Sequence, residues 1–338
     1  QPLSQPYLFD NQVKKCSDLT QLQDLVVQTR VVVGTITSMN SAQAIFKYKQ
    51  FSLAIIDEAS QILEPHIVGL LSATHGIEPA IQRFVMIGDH KQLPAVVQQT
   101  EQESAVDTPL LHQIGLYNCK FSLFERLLHL YGNDPTVTYM LTRQGRMHQD
   151  IMDWPNRLFY NGMLKVVPLP HQIAQLPKEG GTEDALTNLL LTQRVMFLPS
   201  KMPKHSPSDK VNQPEADIIA SLVERIYKIE KERFSAQDTI GIIVPYRNQI
   251  ATVRNTIARL GIPELTGITI DTVERYQGSQ RRYIIYGFTI QKHYQLRFLT
   301  NNTFIEDGKL IDRKLNVAMT RAQEHLIIIG NPAILKSN

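Results

Sequence analysis

Apolar residues fall along this chain in short runs. "RVVVGTI" (30–36), "LAIIDE" (53–58), "FVMIGD" (84–89), "VTYMLT" (137–142), "RVMFLP" (194–199), "IGIIVPY" (240–246), "GITIDTV" (267–273), "RYIIYGFT" (282–289) and "HLIIIG" (325–330) are each rich in β-branched residues. Several are apolar at consecutive positions, as strands covered on both faces must be. Between them the period changes to that of a helix. "SDLTQLQDLVVQ" opens on the cap candidates Ser17 and Asp18, and "SLFERLLHLYG" runs from Ser122 to Gly132. "QPEADIIASLVERIYKIEKERF" has Pro214 in its first turn and Ile218, Ile219, Leu222, Val223 and Ile226 along one face; "NQIATVRNTIARLG" stops at Gly261. Strands alternating with helices predict an α/β fold built on mostly parallel sheets.

Three stretches interrupt that rhythm: polar 98–109, basic Pro/Ser-rich 200–215, and 291–309, a long excursion between two strands. Loops of this kind either carry function or are simply solvated. "YGNDPT", with its Gly, Asn, Asp and Pro, predicts a domain boundary near 132–136. Length (338 residues) and 43% hydrophobic content suit a two-domain globular protein, and no run of 18 apolar residues predicts a membrane helix. The first residues lack the plan of a signal peptide and no initiator Met is present, so a piece of a longer protein is expected. Cys16 and Cys119 are the sole cysteines; two isolated thiols predict neither a disulfide framework nor a zinc site, and a reducing compartment, cytoplasm or nucleus, is expected. A net charge of +3 permits nucleic acid as a partner without requiring it.

The chemistry begins with "LAIIDEAS" (53–60), where a buried strand runs straight into Asp57 and Glu58. Ligands of open parallel sheets bind beyond the carboxyl ends of the strands. Asp57 there can hold Mg²⁺ through water while Glu58 orients an attacking water. A helix cap or plain surface charge is the alternative. A second run, "IGDHKQLPAVV" (87–97), places Gly88, Asp89 and Gln92 at another strand end. Gln92 is neutral and both donates and accepts, so it can touch a phosphate and a water together.

"DEASQ" followed by "GDHKQLP" resembles motifs II and III of the superfamily 1 helicases, in the Upf-like group that moves 5′ to 3′ on RNA or DNA. "RQGRMH" (143–148), "VPYRNQ" (244–249), "TIDTVERYQGSQ" (269–280) and "LNVAMTRAQEHLIIIG" (315–330) resemble the later motifs in order, so the likeness covers roughly residues 30–330. It implies two RecA-like parallel-sheet domains (the P-loop NTPase fold), the first incomplete: residues 1–134 as the end of the first and 135–338 as the second. It implies ATP and Mg²⁺ as cofactors and an ATP-dependent helicase or translocase, a monomer acting on single-stranded or partly duplex DNA or RNA. By the same resemblance Glu58, Gln92, Arg146 and Arg321 are catalytic, with both arginines reaching the γ-phosphate. Asp57 (holding Mg²⁺), Asp89, Gly278 and Gln280 bind the nucleotide. Thr35, Thr37, Ser38, Pro245, Tyr246 and Thr272 lie on the nucleic-acid track.

Three departures stand out. No GxxxxGK[ST] occurs in the 338 residues; "EDGKL" (306–310) lacks the first Gly and the hydroxyl. A P-loop supplies the phosphate cradle, its Lys and a Mg²⁺-binding hydroxyl, so the chain is expected to be the C-terminal portion of its helicase and inactive alone. Gly145 stands where the family carries an aromatic residue before the arginine, and Gln280 where it carries Glu. A non-catalytic nucleic-acid-binding module with a degenerate ATPase site is the other reading. A dehydrogenase or small-molecule kinase predicts a glycine-rich turn such as GxGxxG, and none is found.

Overall fold

The computed structural model describes residues 5–206 and 208–337. Its contacts divide the chain into two units, one of Gln1–His90 and Pro94–Tyr139, the other of Lys91–Leu93 and Met140–Asn338.

In the first unit, α1 (Leu19–Gln28) starts at Asp18, whose carboxylate accepts from the Gln21 N–H at 2.9 Å. There follow α2 (Ile36–Ser41), β1 (Ala54–Ile56), α3 (Glu64–Leu71), β2 (Phe84–Met86) and α4 (Leu123–Tyr131). β1 and β2 pair in parallel, Ala54 opposite Phe84 and Ile56 opposite Met86. One face of this two-stranded sheet packs with Phe46, Ile67, Leu70 and Leu123. On the other, Ile55 is 64% and Val85 45% exposed. Ser122 and Glu125 close a reciprocal capping box on α4, and Arg126 holds Glu64 with two hydrogen bonds (2.8 and 2.5 Å), tying α4 to α3.

Two expected strands do not form. Residues 30–35 are irregular and exposed up to α2, and 137–142 are irregular too, with only Arg143–Gln144 pairing against Lys165–Val166. Residues 30–35 have no ladder partner among the described residues, and the second run meets one only at its end, where Lys165 N–H donates to the Thr142 C=O at 2.7 Å; an apolar sequence alone does not hold backbone extended.

The second unit is built as the alternating pattern predicts. After α5 (Gln149–Phe159) come β3 (Val195–Pro199), α6 (Gln213–Glu230), β4 (Ile240–Ile243), α7 (Arg247–Ala258), β5 (Thr269–Asp271) and β6 (Arg281–Gly287). Then α8 (Gln295–Leu299), a hairpin of β7 (Thr303–Glu306) and β8 (Lys309–Asp312), α9 (Arg313–Thr320) and β9 (Ala322–Gly330) complete it. Five strands form one parallel sheet in the order β3-β9-β6-β4-β5. Its side chains alternate between two cores. Ile242, Ile285, Ile327 and Ile329 pack with Ile219, Leu222, Val223 and Ile226 of α6. Ile243, Ile284, Tyr286, Leu326 and Ile328 pack with Ile151 of α5 and Val317 of α9. The face expected on α6 is the buried one, with Ile218 at its margin.

The excursion at 291–309 is folded rather than loose, contributing α8 and most of the hairpin. Its turn, Asp307-Gly308, has positive φ at both positions (51° and 73°), as a two-residue hairpin requires.

Candidate functional site

In the first unit the two acidic strand ends are locked to each other through backbone. Ile87 N–H donates to Ile56 C=O and Ala59 N–H to Ile87 C=O, both at 2.8 Å. Asp89 N–H donates to the Ser60 hydroxyl at 3.2 Å. A Cβ on Gly88 would stand 2.8 Å from the Ser60 nitrogen, so only glycine permits this approach. Asp57 and Asp89 therefore emerge just past the carboxyl ends of adjacent parallel strands.

Glu58 adopts φ 51°, left-handed backbone that costs a non-glycine residue about 1–3 kcal/mol. Its N–H donates to Asp57 Oδ1 (3.0 Å), and Gln61 Nε2 donates to Glu58 Oε2 (2.6 Å). Both carboxylates are exposed. Asp57 Oδ2 meets no protein donor among the described residues, which leaves a hard oxygen ligand available. Exposed carboxylate oxygens of this kind suit a hydrated divalent cation carried by phosphate. Thr35, Thr37 and Ser38 are exposed at the start of α2. The Thr35 hydroxyl is committed there to capping, accepting from Ser38 N–H at 3.1 Å.

In the second unit the candidate residues converge around the end of α9. Arg321 is 2% exposed. Its Nη2 donates to Gln92 Oε1 at 2.9 Å and to the Thr320 hydroxyl at 3.3 Å, and its Nε donates to Val317 C=O at 3.2 Å. Arg146 reaches the same residue from the other side: Nη1 donates to Thr320 C=O at 3.1 Å, while Nε donates to Gln280 Oε1 at 2.9 Å. Both arginines are thus held at Thr320 by neutral oxygens.

The Gln92 loop is anchored in turn. Asn316 Nδ2 donates to Lys91 C=O and to the Tyr160 hydroxyl, both at 2.8 Å, and Gln277 Nε2 donates to Leu93 C=O at 3.2 Å. Lys91 also pairs with Glu306 of the hairpin. Gly278 lies one residue after Gln277 at φ 79°, where a Cβ would meet nothing within 4 Å; backbone conformation, not space, demands glycine. A side chain at Gly145 would first meet Leu169, at an ordinary 3.6 Å.

Pro245, Tyr246 and Thr272 stand apart from this cluster. Pro245 and Tyr246 lead into α7, and Thr272 stands just before the single turn Val273–Tyr276. The structure thus gathers Gln92, Arg146, Gln280 and Arg321 in one unit and Asp57, Glu58 and Asp89 in the other. Asn316, Tyr160 and Thr320 are supporting residues to which the sequence assigns no role. Asn316 and Thr320 stand within the 315–330 motif, but their partners Lys91, Tyr160 and Arg146 lie far away in the chain, where a local motif carries no signal.

Two family models, each described as an AAA domain, match residues 119–333 and 10–100, the first alone covering more than half of the chain. A "DNA polymerase alpha-associated DNA helicase A" of Saccharomyces cerevisiae is 28% identical over 338 residues, covering 95% of this chain and 45% of its own length. An uncharacterized ATP-dependent helicase of Methanocaldococcus jannaschii is 30% identical over 325 residues, covering 94% and 41%. The chain therefore spans less than half the length of these relatives. Among solved structures, the PRRSV helicase shares 15% identity at a TM-score of 0.34, over 84% of this chain and 36% of its own, too distant to carry an argument. The matched segments are the ones that hold the acidic strand ends, the Gln92 loop and both arginines, and they place this chain among the AAA-domain proteins, in the Upf-like group of the superfamily 1 helicases.

Proposed function

We propose that this chain supplies the hydrolytic carboxylates and the phosphate-sensing arginines of an ATP-driven helicase or translocase acting on single-stranded or partly duplex nucleic acid. The observation that carries the reading is the Arg321–Gln92 hydrogen bond, with Arg146 held at the same Thr320. Two permanently charged forks in fixed positions suit the charge that develops on a transferring phosphoryl group, a role worth roughly 10³–10⁵ in rate.

In this reading Asp57 would hold Mg²⁺ and Glu58 would orient the attacking water. Asp89 and Gly278 border the nucleotide. Gln92 reports the state of the terminal phosphate to Arg321, and Gln280 positions Arg146. When bound, Mg²⁺-ATP supplies the phosphoryl chemistry and the energy for strand separation, which costs about 1.4 kcal/mol per base-pair step. Thr35, Thr37, Ser38, Pro245, Tyr246 and Thr272 line the track, gripping backbone through hydroxyl and main-chain groups. Residues 1–134 serve as the end of one RecA-like domain and 135–338 as the next.

The phosphate-binding loop must come from outside these 338 residues, none of which forms GxxxxGK[ST]. The chain alone is therefore expected to turn over ATP negligibly. The yeast relative carries the words DNA helicase in its name, which makes DNA the first substrate to try, with RNA beside it. The test is phosphate release by the parent protein and by this chain, each with and without single-stranded DNA and RNA. Turnover by the parent, stimulated by one nucleic acid and absent from the chain alone, is the expected result. A parent that never hydrolyses ATP would leave only a binding module.

A further inference from the structure

The excursion that follows β6 brings side chains that the helicase reading does not use up to Pro245 and Tyr246. An open cleft of about 450 Å³ is lined by Lys210, Pro245, Tyr246, Arg247, Tyr294 and Phe298, together with Asn248 and Gln295. Tyr246 and Phe298 stack, with ring centroids 5.3 Å apart and planes inclined by 22°. Phe298 is nonetheless 42% exposed and Tyr294 59%. Three aromatic rings are thus left partly in water around one concavity, where burial would stabilise the fold.

The rings are not loose surface groups. Gln295, 2% exposed, accepts from the Gln291 and Lys292 N–H groups (2.9 and 3.0 Å) and donates to Asp209 C=O (2.8 Å) and the Tyr246 hydroxyl (3.2 Å). Gln291 donates to Asp209 and Val211 C=O (3.2 and 2.6 Å). The Tyr294 hydroxyl donates to the Asp209 carboxylate, which also lies 3.6 Å from Lys292. Buried Lys314 places its ammonium 4.4 Å from the centroid of Phe298. The wall is preorganised, and the Asp209 carboxylate at its edge is already engaged. Lys210 and Arg247, by contrast, are exposed and pair with no carboxylate among the described residues.

We propose that this cleft is a base-stacking subsite: one unstacked base of a single-stranded nucleic acid packs against Tyr246, Tyr294 and Phe298, and Lys210 and Arg247 take the flanking phosphates. An aromatic wall beside unneutralised cations is the combination that binds single strands without reading sequence. The inference rests on the proposed nucleic-acid function and adds the excursion to the track, through Tyr294 and Phe298, which no motif contains.

The probe is a fluorescent single-stranded oligonucleotide carrying 2-aminopurine, titrated into the 338-residue chain by anisotropy and by quenching of the base analogue. Phe298→Ala and Tyr294→Ala are each expected to weaken binding about tenfold and to remove most of the quenching. Phe298→Trp restores both. A strand with an abasic site at the probe position is expected to bind wild type and Phe298→Ala alike, while Lys210→Ala weakens intact and abasic strands equally. Thermal melting confirms that the variants are folded; if Phe298→Ala is not, the more exposed Tyr294→Ala decides. Wild type that binds and quenches, with alanine variants that do the same, overturns this inference alone. Wild type that binds neither DNA nor RNA overturns it together with the function on which it rests.

Discussion

The two units of this chain treat their apolar strands in opposite ways. In the second, the inner strands of a five-stranded parallel sheet are covered on both faces, and Ile242, Ile284, Ile285 and Ile327 are wholly buried. In the first, two strands are covered on one face only, with Ile55 and Val85 open to solvent. The candidate chemistry follows the same division. Arg321 and its partners sit in a network of buried hydrogen bonds, whereas Asp57 and Glu58 are exposed and held mainly by each other and by Gln61. Under the proposed function, the groups that must keep one geometry are those that packing fixes, and the groups that exchange water are those that water reaches.

This contrast is open to measurement. The largest difference is expected from matched core truncations followed by denaturant unfolding. Ile284→Ala removes a side chain packed between strands and helices and should cost about 2–5 kcal/mol. Ile55→Ala, on the open face, should cost no more than about 0.5 kcal/mol. Equal losses would mean that the open face is covered in solution.

Next comes a buried acid in the second unit. Burial pushes the Glu215 carboxyl up to about 7, against the opposing hydrogen bonds from the Thr289 N–H and hydroxyl. A folded-state value above the unfolded one means that the native state binds the proton more tightly. That contribution is fully present below the unfolded value, near 4.5, and is lost as pH rises through 7. Stability should therefore fall by roughly 3 kcal/mol across that window from this group. Glu215→Gln should flatten the fall, measured as melting temperature against pH. A wild-type profile already flat from pH 5 to 8 would refute the assignment.

The smallest effect belongs to the first unit. Ser122→Ala removes the side-chain cap of α4, which the Glu125 N–H reaches at 3.1 Å, and should cost about 1 kcal/mol by urea unfolding. A loss several times larger would show that the buried Ser122–Glu125 pair supports more than the helix end.

The same division explains what could be read beforehand. In the second unit the apolar runs are strands because each has a partner, and the predicted face of α6 is the buried one. "RVVVGTI" and "VTYMLT" look no different in composition, yet they are irregular, because a run of valines does not state whether a neighbouring strand exists. The hairpin within the excursion was signalled by Asp307-Gly308 between "TFIE" and "KLID", a pattern easily passed over when the same letters are compared with a phosphate loop. At the site, short motifs mark Gln92, Arg146, Gln280 and Arg321. That Arg146 leans on Gln280 and Thr320, and that Asn316 holds the Lys91 carbonyl, depends on pairings across long stretches of chain, which no local pattern encodes.

The most direct test of the proposed function is the rate of ATP hydrolysis by the parent protein at saturating single-stranded DNA, and again with RNA, for wild type and Arg321→Ala. A loss of roughly 10³-fold or more, with nucleic-acid binding retained, is the predicted result, since a γ-phosphate arginine serves the transition state and not the track. Unchanged turnover in a folded Arg321→Ala variant would contradict the account, leaving the Gln92–Arg321 contact a structural bond with no part in catalysis.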